Sequence, residues 1–191
     1  MTMNIALKKD EHYTYSDYLT WDAGERYELI EGIPYLMAPG PSRTHQRVVR
    51  EIGLQIMNYL NGKPCEVFLA PFDVRLNAND EDDTVVQPDI LVVCDESKHD
   101  EQSVKGAPDM VIEVLSPSTD KYDSTVKLGL YMKAGVKECW LIDPVNRKVR
   151  ITINKRNEKE EQVSYAWDEH IPVGIFPGFA INMQKADAAL K

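Results

Sequence analysis

Several features that would place a chain in a membrane or outside the cell are missing from this sequence. No window has the ~18 uninterrupted apolar residues that a membrane-spanning helix needs. The opening segment, MTMNIALKKDEHY, lacks the apolar stretch of a signal peptide. Cysteine is scarce, and Cys65, Cys94 and Cys139 are scattered and odd in number. We therefore predict three reduced thiols and a cytoplasmic protein.

Basic residues are in the minority. The chain has 22 Lys and Arg residues against 31 Asp and Glu residues, which gives a formal net charge of −9. General nucleic-acid binders take most of their affinity from Lys and Arg that neutralise phosphates, so the composition disfavours such a binder. Zinc-finger spacing, a glycine-rich phosphate loop and an aromatic–basic stripe are also missing. The net charge still allows a local basic patch, because four of the acids are concentrated in one segment, NANDEDD, residues 77–83.

What is present is the patterning of one globular domain of the α/β or α+β class. Residues 13–40 predict a short helix and a β-hairpin that turns near Gly32, and residues 45–60 predict an amphipathic helix. Three strands follow, then a helix that begins at Ser118 or Thr119, then a fourth strand. This order predicts a mixed central sheet flanked by helices.

One carboxylate has an unexpected position in this predicted sheet. Glu113 interrupts the run VIEVL, which is apolar on both faces as a central strand should be. A lone buried acid is costly unless a cation or a hydrogen-bond donor meets it. In the preceding strand, Asp89 follows Pro88, and a proline there indicates an edge strand or a bulge.

If these two strands pair, Asp89 and Glu113 project from one face. Two carboxylates at close range in an apolar setting require a cation. Hard oxygen ligands suit Mg²⁺ or Mn²⁺, and the backbone carbonyl of Val114 could add a third oxygen. Lys127, one helical turn after Asp123 and one before Tyr131, lies beside the apolar face of its helix and is long enough to reach the acids.

Three segments carry a resemblance to a known family: QPDILVV, PDMVIEVLSPSTDKYDSTVK and YMKAGVKECWLIDP. They resemble the Uma2 family, formerly DUF820, of restriction-endonuclease-like proteins in the PD-(D/E)XK nuclease superfamily. The similarity extends to YELIEGIPYLMAPGPSRTHQRVV upstream and to the PGFAI tail. It implies a single endonuclease-like domain over residues 1–191. Within it, the N-terminal helix and hairpin occupy 13–40, the nuclease core about 44–153, and a C-terminal hairpin and packed tail 149–191.

The resemblance also implies a metal-dependent phosphodiesterase site. Asp89 takes the place of the aspartate of the PD element, and Glu113 that of the acid in the (D/E)XK triplet. Leu115 stands where the triplet has lysine. In the family the lysine is thought to have migrated to the next helix, which indicates Lys127.

The implied roles follow from this correspondence. Asp89, Glu113 and the Val114 carbonyl would hold Mg²⁺ or Mn²⁺, which activates water for in-line attack on phosphorus. Lys127 would position the water or neutralise the developing charge.

Two upstream residues are weaker candidates. Glu28 and His45 stand where family members carry similar residues, and either could shape the site or reach the metal through water.

Each candidate has an ordinary structural interpretation as well. Glu113 and Lys127 could form a structural ion pair, and Asp89 could be a turn or cap residue. His45 could be an ordinary residue at a helix start, and Glu28 could face outward from its hairpin. The acid Asp123 is interpreted as favouring the N-terminal end of the helix dipole.

Three functions therefore remain open from the sequence. The first is a Mg²⁺-dependent DNA endonuclease, the second a catalytically inactive nuclease-fold module that binds nucleic acid or a protein partner, and the third a hydrolase for another phosphate ester. If DNA binds, SRTHQR, residues 42–47, and the Lys-rich helix, residues 121–133, are the expected contacts. A homodimer would suit double-strand cleavage by symmetry.

Overall fold

The computed structural model describes residues 11–21, 25–38, 40–116, 120, 122–155 and 159–190. Among them, no helix is long and apolar enough to cross a membrane. The elements follow the chain in this order: α1 Tyr15–Tyr18, β1 Tyr27–Ile30, β2 Ile33–Leu36, α2 Arg43–Leu60, β3 Glu66–Leu69, β4 Asp73–Arg75, β5 Val85–Val86, β6 Ile90–Val93, a 3-10 turn Glu96–Lys98, β7 Ser103–Lys105, β8 Met110–Val114, a π-helix Tyr122–Lys127, α3 Leu128–Ala134, β9 Glu138–Asp143, β10 Lys148–Ile153, β11 Glu161–Ala166, β12 His170–Pro172, β13 Ala180–Asn182 and α4 Met183–Leu190.

A six-stranded mixed sheet forms the centre, in the order β11-β10-β9-β8-β6-β3. Strands β8 and β9 are parallel, and the other neighbours are antiparallel. The crossover between the parallel pair contains the π-helix and α3. All five residues of β8 are buried, as expected for a central strand covered on both faces. The predicted mixed sheet flanked by helices is therefore confirmed.

A second, five-stranded sheet has the order β2-β1-β5-β4-β7. Its edge is the predicted hairpin, in which β1 and β2 are joined by Glu31 and Gly32. Both residues have positive φ, 48° and 76°, the backbone twist that suits a two-residue hairpin turn. A Cβ added to Gly32 would overlap the ring of His12, so glycine is required there for space as well.

Pro88 separates two strands that belong to different sheets. Before it, β5 lies between β1 and β4, and after it, β6 lies between β8 and β3. Of the two predicted settings for Pro88, an edge strand or a bulge, the edge strand is wrong, because neither piece lies at an edge. Since proline cannot donate a ladder hydrogen bond, it stands instead at the crossing point from one sheet to the other.

Helix α2 covers one face of the central sheet. It begins after Ser42, whose hydroxyl accepts a hydrogen bond from the backbone N–H of His45 at 3.2 Å. Its buried stripe packs on strand residues such as Ile90 and Ile112 and consists of Val48, Val49, Ile52, Ile56 and Leu60. The helix predicted over residues 45–60 is thus present and starts two residues earlier.

The opposite face is covered by the π-helix and α3. The predicted helix ends as expected, because Gly135 follows Ala134 with a left-handed φ of 97°. The prediction that Ser118 or Thr119 caps its start lies outside the described residues. The π-helical form of residues 122–127 was not predicted, and it matters for the site described below.

Two elements escaped the sequence patterns. Residues 95–108, expected to be a loop, contain β7, which pairs in parallel with β4. The tail packs on the body as predicted, with Ile171, Val173 and Ile181 buried, but it then continues into α4.

The prediction of three reduced thiols is wrong for two of the cysteines. Cys65 and Cys94 form a disulfide, while Cys139 is a buried free thiol. Cys65 immediately precedes β3 and Cys94 immediately follows β6, and these strands pair antiparallel with Glu66 opposite Val93. The register therefore places the two cysteines opposite each other. Counting cysteines along the chain could not reveal this, because it depends on which strands are neighbours.

Candidate metal and phosphodiester site

The strand register brings Asp89 and Glu113 to the same side of the central sheet. Ile90 of β6 pairs with Ile112 of β8, so the next position in this antiparallel pair sets Asp89 opposite Glu113. Alternate residues of both strands, such as Leu91 and Val111, share a core cluster with Tyr131 of α3. The two carboxylates therefore lie on the face that the π-helix and α3 cover.

Lys127 joins this pair from the π-helix. Its Nζ lies 2.7 Å from Glu113 Oε1 and 2.9 Å from Glu28 Oε1. All three side chains are buried, with Lys127 only 3% exposed. The second oxygen partner, Glu28, comes from β1 of the other sheet and also accepts a hydrogen bond from the backbone N–H of Gln87 at 3.0 Å. The site therefore lies where the two sheets meet.

The π-helix explains how Lys127 turns inward. A π-helix has more residues in each turn than an α-helix, so residues four apart lie closer to one line along its axis. Asp123 and Lys127 are both buried, with Oδ1 and Nζ 4.0 Å apart. One turn later, the Tyr131 hydroxyl donates a hydrogen bond to Glu113 Oε1 at 2.5 Å. The same helical face thus supplies an acid, an amine and a phenol to the site.

Asp89 is fixed from two directions. Its Oδ2 accepts a hydrogen bond from the backbone N–H of Val114 at 2.8 Å and lies 3.1 Å from His45 Nε2. His45 is at the start of α2, on the other side of the sheet from the π-helix. Its buried Nδ1 has no hydrogen-bond partner among the residues described. Asp89, which directly precedes β6, therefore connects the start of that strand to both β8 and α2.

Negative charge is in excess around Lys127. Three carboxylates, those of Glu28, Glu113 and Asp123, lie within 4.0 Å of one ammonium group. Burial raises the pKa of Glu113, and repulsion from Asp89, Asp123 and Glu28 raises it further, while Lys127 opposes the shift. A buried carboxyl with a raised pKa is the expected response to charge that lacks a sufficient counter-charge.

The two bases of the site hold their protons more tightly than usual. Burial by itself lowers the pKa of Lys127, but attraction to Glu113, Glu28 and Asp123 outweighs burial and raises it. Burial likewise lowers the pKa of His45, and the hydrogen bond and charge of Asp89 more than compensate. Lys127 is therefore a cation in the folded protein, available for contact with negative charge.

The donor set fits a divalent cation in part. Hard carboxylate oxygens in excess over amines suit Mg²⁺ or Mn²⁺. In the described part of the chain, however, the three-residue cluster with ligand atoms all within 4.8 Å of one another is His12, Glu81 and Asp83. Among the described residues, Asp89 and Glu113 belong to no such three-residue cluster, so further ligands from this part of the chain would be backbone oxygen.

All five candidate side chains from the sequence are found around this site. Asp89 and Glu113 face the same side, Lys127 contacts Glu113, Glu28 contacts Lys127, and His45 contacts Asp89. Sequence reasoning missed Tyr131 and assigned Asp123 only to the helix dipole. Their spacing of four residues on either side of Lys127 was the available signal.

Comparison with known proteins agrees with this architecture. Residues 15–184 match the model of the Uma2 family, described as "Putative restriction endonuclease". The fold is similar to the crystal structure of a putative nuclease belonging to DUF820 from Anabaena variabilis, with a TM-score of 0.73 and 22% identity over 94% of this chain and 99% of that one.

Two curated relatives come from Synechocystis. Uncharacterized protein slr1290 is 32% identical over 117 residues, and uncharacterized protein sll1609 is 28% identical over 122 residues. The matches cover 60% and 62% of this chain. They span 60% of the first relative's own length, less than two thirds, and 67% of the second's. The family model covers most of the chain, and the chain belongs to the Uma2 family.

Proposed function

We propose that this protein is a metal-dependent DNA endonuclease that hydrolyses phosphodiester bonds. Its catalytic residues would be Asp89, Glu113 and Lys127. One observation carries the proposal: Lys127 Nζ lies 2.7 Å from Glu113 Oε1 inside a buried acidic site, although Leu115 replaces the lysine of the triplet. If the lysine of the triplet has migrated to the following helix, its amine must still reach the acid of the triplet, and Lys127 reaches Glu113.

Asp89, Glu113 and the Val114 carbonyl would hold Mg²⁺ or Mn²⁺. When bound, such an ion acts as a Lewis acid toward the phosphate and lowers the pKa of water. The excess of buried carboxylates around Lys127 supports a cation here. Burial and, after it, repulsion from the neighbouring acids raise the pKa of Glu113, and a bound cation would relieve that repulsion.

The protein's own groups would orient and neutralise the reacting atoms. Lys127, held in place by Glu28, would contact the attacking water or the phosphate oxygens and stabilise developing negative charge. The Val114 N–H and His45 would orient Asp89, and the Tyr131 hydroxyl would orient Glu113. Glu28 and His45 are thus positioning residues in this proposal.

One observation favours a second candidate, a non-catalytic module with the nuclease fold. Lys127 already has two carboxylate partners within 3 Å, which together form a buried ion network. Such networks persist without chemistry when they fix a packing arrangement. This candidate would bind nucleic acid or a protein partner and would not cleave either.

We propose duplex DNA as the substrate and a homodimer as the active form, since two-fold symmetry matches two strands to two sites. Sedimentation equilibrium of the full chain tests the dimer directly, because a monomer at micromolar concentration would contradict it.

The cytoplasmic location predicted from the sequence stays a prediction.

Cleavage assays separate the two candidates. Wild type, Asp89→Asn and Glu113→Gln are incubated with supercoiled plasmid and single-stranded DNA in Mg²⁺, Mn²⁺ or EDTA, beside the exposed-acid control Glu96→Gln. We expect metal-dependent nicking by wild type and control, and a loss of at least about 10²-fold in both site variants. Equal activity in all four proteins would place any cleavage elsewhere.

Metal binding is measured separately by titrating Mn²⁺ into each protein and following its electron paramagnetic resonance signal. The proposal expects one tight site in wild type that is weakened in Asp89→Asn and Glu113→Gln. Tight binding without cleavage would favour the non-catalytic module, and unchanged binding in both variants would remove the metal from this site. A small phosphodiester substrate, cleaved when DNA is not, would indicate another phosphate ester.

A further inference from the structure

Three arginines line one face of α2. Arg43, Arg47 and Arg50 are spaced by four and three residues, which aligns them along the helix. Arg43 and Arg50 are exposed, and Arg47 is half-buried, with its Nη1 3.5 Å from the Leu190 carbonyl oxygen, which accepts a hydrogen bond from it. Within the described residues, none of the three forms an ion pair with an acid. Their charges are therefore not neutralised, in a chain whose net charge is −9.

These arginines border a cleft between α2 and β3. The cleft has a volume of about 550 Å³, and its described lining contains no acidic residue. Beyond the arginines, the helix stripe continues with Leu54 and Met57, and Leu69 of β3 forms the facing wall. A surface with three unpaired cations and no acid on an acidic protein indicates an anionic partner.

Two contacts connect the elements that form the cleft to Asp89. Along α2, His45 lies two residues from Arg43 and Arg47, and its Nε2 is 3.1 Å from Asp89 Oδ2. Across the sheet, Leu69 pairs with Ile90, and the Ala70 N–H donates a hydrogen bond to the Asp89 carbonyl oxygen at 3.1 Å. The cleft lies on the α2 side of the sheet, and His45 of the same helix connects that side to Asp89.

We propose that the cleft binds the phosphate backbone of duplex DNA beside the candidate site. This inference rests on the proposed function, which supplies that site. Seven residues of α-helix separate Arg43 from Arg50, a rise of about 10 Å. One strand of B-DNA passes about three phosphates in that distance. The three arginines can therefore contact several phosphates of one strand.

The proposal revises the expected DNA contacts in part. From the segment SRTHQR, Arg43 and Arg47 line the cleft. Arg50, which follows that segment in the sequence, lines the cleft as well. On the Lys-rich helix, Lys127 is buried in the acidic site and Lys133 pairs with Glu31 at 3.2 Å. Helix α2 is therefore the better phosphate-binding surface.

Binding is tested in EDTA, so that no cleavage is needed. Fluorescence anisotropy with a labelled 30-base-pair duplex is measured between 50 and 200 mM salt for wild type, Arg43→Ala/Arg50→Ala and the control Lys148→Ala/Arg150→Ala. Both double variants remove two exposed cations, and the control pair lies on β10, next to the edge strand β11 at the other end of the sheet, where Arg150 is 3.6 Å from Asp120 Oδ1. Thermal unfolding of each variant confirms that it is folded.

We expect roughly tenfold weaker binding for Arg43→Ala/Arg50→Ala at 100 mM salt, and a slope of log K against log salt that is smaller by about 2. The control should match wild type. If wild type cleaves DNA while Arg43→Ala/Arg50→Ala keeps its affinity and KM, the inference is wrong and the endonuclease stands. If binding depends on the arginines and no protein cleaves, the inference stands without the endonuclease.

Two further outcomes would overturn the inference. One is a wild-type protein with no affinity for the duplex. The other is a change in dimer dissociation, seen by sedimentation, in Arg43→Ala/Arg50→Ala with unaltered DNA binding, because the cleft would then be a protein interface.

Discussion

Lys127 Nζ and Glu113 Oε1 are 2.7 Å apart, and both side chains are almost completely buried. The lysine comes from a π-helix and the glutamate from the central strand β8, so the contact joins the crossover helix to the sheet it covers. Burying two charges is costly, and their attraction compensates only when further hydrogen bonds complete the network. Here Glu28 and Tyr131 complete it. The stability of the fold and the proposed catalysis therefore depend on the same side chains.

Replacing Lys127 by methionine should destabilise the fold strongly. The substitution keeps an unbranched apolar side chain, one atom shorter than lysine, and removes the charge, which leaves Glu113 and Glu28 buried beside each other without a cation. We expect a loss of about 3–5 kcal/mol in the free energy of unfolding, measured by urea denaturation in EDTA. The matched control is Lys133→Met, whose exposed pair with Glu31 should contribute about 0–1 kcal/mol. Similar losses for the two variants would contradict a buried ion network.

The raised pKa of Glu113 predicts a pH-dependent stability in EDTA. Its ordinary pKa is 4.5, and burial raises the value in the folded protein. Between the two values the folded state keeps a proton that the unfolded state has released, so stability must fall as pH rises above about 4.5. Below 4.5 both states are protonated, and the contribution is fully present.

Glu113→Gln isolates this contribution, because glutamine does not titrate and all other acids are retained. We expect urea denaturation between pH 5 and pH 8 to show a smaller decrease in stability for the variant than for wild type. Parallel pH profiles would mean that Glu113 is ionised in both states.

The sequence predicted the composition of the site better than its shape. Asp89, Glu113 and Lys127 could be connected because strand pairing and helical reach follow from local patterns. Tyr131 and Asp123 were missed although each is four residues from Lys127, because that spacing does not show which side of the helix faces the acids. Glu28 was uncertain, since its contact with Lys127 requires two sheets to meet.

The difference between local patterns and contacts across the fold also explains the errors in the predicted fold. The amphipathic stripe of α2 and the turn at Gly32 are local features, and both were predicted correctly. The disulfide between Cys65 and Cys94 and the crossing at Pro88 depend on which strands become neighbours. No local pattern carries that information.

Tyr131→Phe tests the hydrogen bond that holds Glu113. Loss of the hydroxyl removes one of two donors to Glu113 Oε1, and Lys127 Nζ stays 2.7 Å from that oxygen, so we expect about 0.5–1.5 kcal/mol lower stability in urea denaturation. The site should also bind Mn²⁺ more weakly than in wild type, because Glu113 would be less well oriented. Tyr165→Phe is the control, since the Tyr165 hydroxyl has no hydrogen bond to any described residue. Equal Mn²⁺ affinity in Tyr131→Phe and wild type would show that Tyr131 has no positioning role.

The disulfide predicts a thiol count and a stability difference. Alkylation of the unfolded, unreduced protein should modify one cysteine, Cys139, and reduction should expose all three. Cys65 and Cys94 are 29 residues apart, so the crosslink restricts the unfolded chain by about 3–4 kcal/mol. Cys65→Ser/Cys94→Ser should therefore unfold at lower urea than the oxidised wild type and at the same urea as the reduced wild type. The control Cys139→Ala removes the free thiol and should leave the effect of reductant unchanged. Three reactive thiols in the unreduced wild type would show that the two strand-end cysteines, although opposite each other, stay reduced.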